Sequence, residues 1–166
     1  MVALTFSERT PVSMINGLPA HALLVHFVVV LAPLTAALAI LCAVWPAARR
    51  RLVWLVLALS VAVLALTPLT TEAGEWLEHR VGESPALETH AGLGDTMLYF
   101  AIALLVAAVL LVVLHRREPG TAAAVILSVV VVVASAATIV QVVRIGDSGA
   151  RATWGDVAAN QPQNDD

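Results

Sequence analysis

The sequence predicts an all-α integral membrane protein, a four-helix bundle built from two helical hairpins. Its composition supports this, because 60% of the 166 residues are hydrophobic, 13% are charged and the mean hydropathy is +0.89. Soluble proteins are about 45–50% apolar and about 25% charged. Four long uncharged stretches and a one-sided distribution of arginine are the other two observations. A soluble fold could not bury so much apolar surface, so we expect the lipid bilayer to surround this chain.

The four uncharged stretches cover residues 22–45, 52–71, 96–114 and 121–143. About 20 residues of helix, rising 1.5 Å each, cross a hydrocarbon core of about 30 Å. No stretch alternates polar and apolar residues, which excludes barrel strands. The sequence therefore predicts helices over about 20–45, 52–78, 88–115 and 121–145 within a transmembrane domain of residues 20–154. Outside it we expect an outer N-terminal segment, 1–19, and a disordered acidic tail, 155–166.

Charge separates the two ends of the predicted bundle. Five arginines occupy the two short joints after the first and third helices: Arg49, Arg50, Arg51, Arg116 and Arg117. The segment 72–88 instead carries five glutamates against Arg80 alone. Because positively charged loops stay in the cytoplasm, the arginine joints should be cytoplasmic and both chain termini should face outward.

A faint internal repeat divides the chain into two halves. The motif His21-Ala-Leu-Leu-Val-His26 begins the first helix, and His90-Ala-Gly-Leu-Gly-Asp95 begins the third. In each half a second helix ends in a segment with an acid, a glycine and a tryptophan, at 72–76 and at 147–154. This pattern predicts a parallel pseudo-repeat of two hairpins about an axis along the membrane normal.

Histidines at membrane depth are candidates for function, because ionisable side chains there are costly and normally face the bundle interior. The repeat places His21 opposite His90, as two axial imidazoles that hold a haem iron between helices are placed. The predicted haem pocket is completed by His26, Gly92, Gly94 and Asp95. The sequence thus predicts an electron-transfer protein of b-type-cytochrome-like character that binds haem b near the outer face.

A second hypothesis is a non-haem metal site. Glu72, Glu75 and His79 follow i, i+3, i+7 spacing and so share one helical face. With His21 and His90 they would offer oxygen and nitrogen ligands for an Fe, Zn or Mn ion. A third hypothesis is a structural or partner-binding membrane subunit without a cofactor.

Several enzyme signatures are absent from the sequence: a Gly-rich phosphate loop, CxxC, a nucleophile elbow and HExxH. The single cysteine, Cys42, lies in an apolar run and has no partner for a disulfide. No basic patch indicates a nucleic-acid partner. We therefore expect an electron carrier or binding subunit rather than a stand-alone enzyme, with a membrane or extracytoplasmic redox partner or a homo-oligomer as further possibilities.

Residues 17–27, Gly-Leu-Pro-Ala-His-Ala-Leu-Leu-Val-His-Phe, resemble the opening signature of DUF2231, a family of small bacterial membrane proteins. Residues 88–94 resemble the family's histidine segment before its third helix, and residues 144–154 its Gly-rich end. Asp147 stands where family members often have a histidine. The resemblance implies a multi-pass protein of the bacterial cell membrane. Members joined to Rieske iron–sulfur domains imply a redox role by association.

Overall fold

The protein is described by a computed structural model that covers residues 14–15, 18–81, 84–117 and 119–159. Its elements in chain order are β1 (Met14–Ile15), β2 (Leu18–Pro19), α1 (Ala20–Val44), α2 (Pro46–Val81), α3 (Pro85–Asp95), α4 (Met97–Arg117) and α5 (Thr121–Ala159). The two short strands pair antiparallel immediately before α1. Within these residues four helical spans are long and apolar enough to cross a membrane, α3 and α4 together forming the third. The prediction of an all-α, four-helix membrane fold is confirmed.

Two prolines and one serine cap lie at the N-termini of α2 and α3. Pro46 opens α2 and Pro85 opens α3, positions where the missing N–H group costs nothing because the first turn has no intrahelical acceptor for it. The Ser84 side chain caps α3 by accepting a hydrogen bond of 3.2 Å from the Leu87 N–H. A single residue, Trp45, separates α1 from α2, so the first hairpin turns sharply.

Small side chains form much of the core. Ala32, Ala36 and Ala39 of α1 are fully buried, and small residues at such spacing let helix backbones approach closely where no hydrophobic effect drives helices together. Large apolar side chains lie outside instead: Phe27 is 58% exposed and Val133 61%. This inversion of the soluble pattern fits a bundle whose outer surface contacts lipid.

The helices form a ring in which α1 packs against α2 and α5, and α4 packs against the same two helices. The short α3 continues the line of α4 and lies mainly against α5. We call the end that contains residues 72–95 and 145–155 the acidic end, and the end that contains residues 44–54 and 114–124 the arginine end. The starts of α1 and α3 and the last turns of α2 and α5 meet at the acidic end, where the candidate site lies.

Helices α2 and α5 are longer than a membrane requires. Their 36 and 39 residues correspond to about 54 and 58 Å, against a hydrocarbon core of about 30 Å. The sequence predicts that residues 155–159 belong to the tail, but in the structure they continue α5. The helix continues because no proline or charge cluster interrupts it there. Residues 160–166 of that tail, and most of the N-terminal segment, lie outside the described residues.

Candidate functional site: a histidine-lined cavity at the acidic end

A cavity of about 140 Å³ lies at the acidic end, and all five helices contribute to its wall. Most of the lining is apolar, with Val25, Val28, Met97 and Val142 among its residues. Its polar lining residues are His21, Thr67, Thr70, Thr71, Glu75, Glu78, His90 and Asp95. The two histidines that the sequence repeat paired therefore face one space.

His21, in the first turn of α1, is fixed against α2. Its Nδ1 lies 2.9 Å from the Thr70 carbonyl oxygen. The half-buried imidazole rests on Gly74, where a Cβ atom would lie 3.0 Å from Nδ1. The glycine thus makes the space in which the ring reaches the carbonyl one helical turn earlier.

His90, in α3, is fixed against α5 in the same manner. Its Nδ1 lies 3.2 Å from the Ile145 carbonyl oxygen and 3.1 Å from Ser148 Oγ. The ring rests on Gly149, where a Cβ atom would lie 3.0 Å from Cε1. Ser148 Oγ itself donates to the Ile145 carbonyl at 2.8 Å, which gathers three polar groups at one point of α5.

The same pattern of contacts fixes His21 and His90. In each half, the histidine at the start of the hairpin bonds a backbone carbonyl of the second long helix and packs on the glycine four residues later. The carbonyl and the glycine are at positions 70 and 74 in the first half, and at positions 145 and 149 in the second. Two independent occurrences of this geometry, in the two halves that the sequence motifs define, show that the repeat extends to side-chain contacts.

The anchoring bonds determine what the imidazoles present to the cavity. A carbonyl oxygen can only accept, so Nδ1 donates in both rings, and in the neutral imidazole Nε2 then carries an unshared electron pair. No hydrogen bond from any described residue reaches either Nε2. His21 and His90 therefore offer the cavity two hydrogen-bond acceptors.

The threonines on the wall add acceptors rather than donors. The hydroxyl groups of Thr67 and Thr70 donate to carbonyls of their own helix at 2.8 Å, and that of Thr71 does so at 3.0 Å. Each hydroxyl proton is thus already used, while the oxygen lone pairs stay available. The polar atoms that face this cavity are almost all acceptors.

Carboxylates line the cavity beside the histidines. Glu75 and Asp95 are exposed and Glu78 is half-buried. Two arginines at this end of the bundle are engaged elsewhere: Arg151 pairs with Asp147 at 3.0 Å, and Arg80 lies 4.2 Å from the centre of the Trp76 ring. Among the described residues no cation lies within 4.0 Å of the three lining carboxylates.

Only some of the predicted site residues line the cavity. His21, His90, Gly94, Asp95 and Glu75 line the cavity. Four others do not: Gly92, His26, Glu72 and His79 are exposed. His26 Nδ1 bonds the Ala22 carbonyl of its own helix, and no described atom lies within 4 Å of the Cβ position of Gly92.

Sequence reasoning missed the groups that hold the imidazoles. These groups lie on the second long helix of each half: the Thr70 carbonyl and Gly74 on α2, and Ser148 and Gly149 on α5. The repeat had marked a glycine near both helix ends, which was the available signal. The repeat does not show that Gly74 receives a ring from α1 and Gly149 a ring from α3, because spacing along one helix does not reveal which neighbour packs against it.

Comparison with known proteins identifies a family. The model of the family described as "Predicted membrane protein (DUF2231)" covers residues 17–162, which confirms the resemblance noted in the sequence. No curated protein and no solved structure matches the chain.

The predicted electron-transfer function is wrong, and so is its metal-binding alternative. Within the described part of the chain no group of three or more His, Cys, Asp or Glu side chains is placed to hold a metal ion, and the family description names a membrane protein without a redox role. The predicted face of Glu72, Glu75 and His79 is divided, since only Glu75 reaches the cavity. The cofactors themselves, haem b or an Fe, Zn or Mn ion, stay predictions from sequence.

Proposed function

The chain belongs to the DUF2231 family of predicted membrane proteins, and we propose that it is a membrane-embedded binding protein for a small, largely apolar molecule that carries a hydrogen-bond donor. The observation that carries this proposal is the pair of unbonded Nε2 acceptors of His21 and His90 in an otherwise apolar cavity.

The size of the cavity limits the ligand. An engineered apolar cavity of 150 Å³ binds benzene, and the cavity at the acidic end measures about 140 Å³. A single aromatic ring or a short branched chain with one polar group fits this volume.

The polar atoms of the wall limit the ligand's chemistry. The two Nε2 atoms accept no hydrogen bond from a described residue, so they favour a ligand that brings a hydroxyl or amine, since a hydrogen bond contributes about 0.5–1.5 kcal/mol. The surrounding valines and Met97 favour an apolar body. The carboxylates of Glu75, Glu78 and Asp95 disfavour an anion by charge repulsion. The preferred class is thus a neutral or cationic donor of about the size of a phenol.

The orientation of the bundle decides in which half of the bilayer the cavity lies. We propose that the protein lies in the bacterial cell membrane with its arginine end in the cytoplasm, which puts the cavity in the outer half of the bilayer. A ligand would then enter from the outer leaflet or the outer aqueous phase. A redox partner and a homo-oligomer stay predictions from sequence.

The test uses three probes of matched size: 4-fluorophenol, fluorobenzene and 4-fluorobenzoate. Protein in detergent micelles, labelled with ¹⁵N in its histidine rings, is titrated with each probe. We expect 4-fluorophenol to shift the Nε2 resonances of His21 and His90 in a saturable manner, because its hydroxyl donates to them. Fluorobenzene lacks the donor, and 4-fluorobenzoate is repelled by the carboxylates, so both should bind at least about fivefold more weakly.

Matched variants separate the cavity from non-specific partition into micelles. We expect His90→Leu to weaken 4-fluorophenol binding about fivefold, since it removes one acceptor. His115→Leu, at the opposite end of the bundle, should leave binding unchanged. Equal binding of fluorophenol and fluorobenzene to the unaltered protein would refute the proposal without reliance on any variant.

A further inference from the structure

A second concave feature lies on the membrane-facing surface at the arginine end. This groove has a volume of about 430 Å³ and runs between the end of α1, the start of α2 and the first half of α5. Apolar side chains such as Val125, Val129 and Val133 line it, together with Arg49. The Ser128 hydroxyl, which also lines it, donates to the Ala43 carbonyl at 3.3 Å and so ties the two helices that form the walls. The groove is separate from the cavity at the acidic end.

The length of the groove matches one leaflet. Its α5 wall extends from Thr121 to Val133, which at 1.5 Å per residue is about 18 Å. Half of a hydrocarbon core of about 30 Å is about 15 Å. A groove that starts at the helix ends therefore reaches about to the midplane of the bilayer, as a lipid acyl chain does.

The charge at the head of the groove is positive. Half-buried Arg49 lines the groove there, and Arg50 and Arg51 follow it in the chain. Between residues 9 and 71 the sequence has no acid, and Glu118, in the joint before α5, lies outside the described residues. Helix α5 also begins at this point, so the positive end of its dipole adds to the field. A phosphate group at the membrane surface would be attracted to this position.

We propose that the groove binds one acyl chain of an anionic phospholipid, with the lipid phosphate at Arg49. Basic pockets between transmembrane helices bind anionic headgroups by this combination of charge and apolar contact. The acyl chain accounts for the apolar length of the groove, and the phosphate accounts for the arginine at its head. This lipid site does not depend on the ligand proposed for the acidic-end cavity.

Native mass spectrometry of the delipidated protein in detergent tests the proposal with three additives. These are phosphatidylglycerol, phosphatidylcholine with the same acyl chains, and glycerol 3-phosphate as a headgroup without chains. We expect phosphatidylglycerol to bind about fivefold more tightly than phosphatidylcholine, because one cation near an anionic headgroup contributes about that factor. Glycerol 3-phosphate should not bind measurably. Equal binding of the two lipids, or binding of glycerol 3-phosphate as tight as that of phosphatidylglycerol, would overturn the proposal.

Variants locate the site. Arg49→Gln should abolish the preference for phosphatidylglycerol, whereas Arg51→Gln removes the same charge from an exposed residue outside the groove lining and should leave most of the preference intact. Ala124→Leu, which fills the groove, should weaken the binding of both lipids. If Arg49→Gln and Arg51→Gln have the same effect, the groove is not the binding site. Circular dichroism and gel filtration of each variant confirm that the bundle is folded before lipid is added.

Discussion

Gly74 and Gly149 are the residues on which the positions of the two cavity histidines depend. A Cβ atom at either glycine would lie 3.0 Å from an imidazole atom, whereas at Gly92 no described atom lies within 4 Å. Each imidazole cannot move away from its glycine without losing a hydrogen bond, because its Nδ1 bonds a carbonyl of the helix that carries that glycine. A methyl group at position 74 or 149 therefore competes directly with the imidazole.

We expect Gly74→Ala and Gly149→Ala each to lower the free energy of unfolding by about 1 kcal/mol. Helix propensity alone would raise it by about 0.5–1 kcal/mol, but crowding costs about 1–3 kcal/mol and the displaced ring loses its hydrogen bond. Gly92→Ala is the control, since it gains propensity without crowding and should stabilise the protein. Unfolding midpoints in mixed dodecyl sulfate micelles measure all three. If Gly74→Ala proved as stable as Gly92→Ala, the packing of His21 on α2 would be disproved.

The joint between α3 and α4 is the element that shapes one wall of the cavity. Gly92 and Gly94 weaken the helix there, and Thr96 separates the two segments. Gln141 of α5, which is 3% exposed, donates through Nε2 to Thr96 Oγ1 at 2.7 Å and to the Leu93 carbonyl at 3.2 Å. This side chain satisfies polar groups that the break would otherwise leave in an apolar environment.

Replacement of this buried amide should loosen α3. We expect Gln141→Leu to reduce the free energy of unfolding by about 0.5–1.5 kcal/mol, the range for interhelical hydrogen bonds in membranes, and to speed amide hydrogen exchange in α3 more than in α4. Thr138→Val is the matched control on the same helix, because the Thr138 hydroxyl lies 2.9 Å from the Ala134 carbonyl of α5 and 3.5 Å from the Phe100 carbonyl of α4, so its loss should not loosen α3. Unchanged exchange in α3 would mean that the joint is held by packing alone.

For the whole molecule, hydropathy was sufficient to predict the four spans, because a bilayer forces every uncharged stretch of this length into a helix. Hydropathy alone ended the second uncharged stretch at residue 71, and the helical spacing of Glu72, Glu75 and His79 extended the predicted helix to about 78, close to the observed end of α2 at Val81. The repeat drew attention to His21 and His90, and the metal-ligand geometry predicted for them was inferred from spacing alone. Spacing along the chain could not show the contacts of the rings: the Nδ1 atoms of His21 and His90 each bond a backbone carbonyl of a neighbouring helix, whereas that of His26 bonds its own helix.

The proposed orientation of the bundle rests on its charge pattern and can be tested by cysteine labelling. Cys42 is fully buried and is replaced by alanine first, so that one introduced thiol reports each end. Gly120→Cys adds an exposed thiol at the arginine end and Thr153→Cys one near the end of α5. Because we propose that the five arginines hold the arginine end in the cytoplasm, we expect a membrane-impermeant maleimide to label Thr153→Cys in intact cells and Gly120→Cys only after permeabilisation. The parent protein with Cys42 alone should stay unlabelled throughout. The reverse labelling pattern would place the histidine-lined cavity in the cytoplasmic half of the bilayer, and its ligand would then have to come from inside the cell.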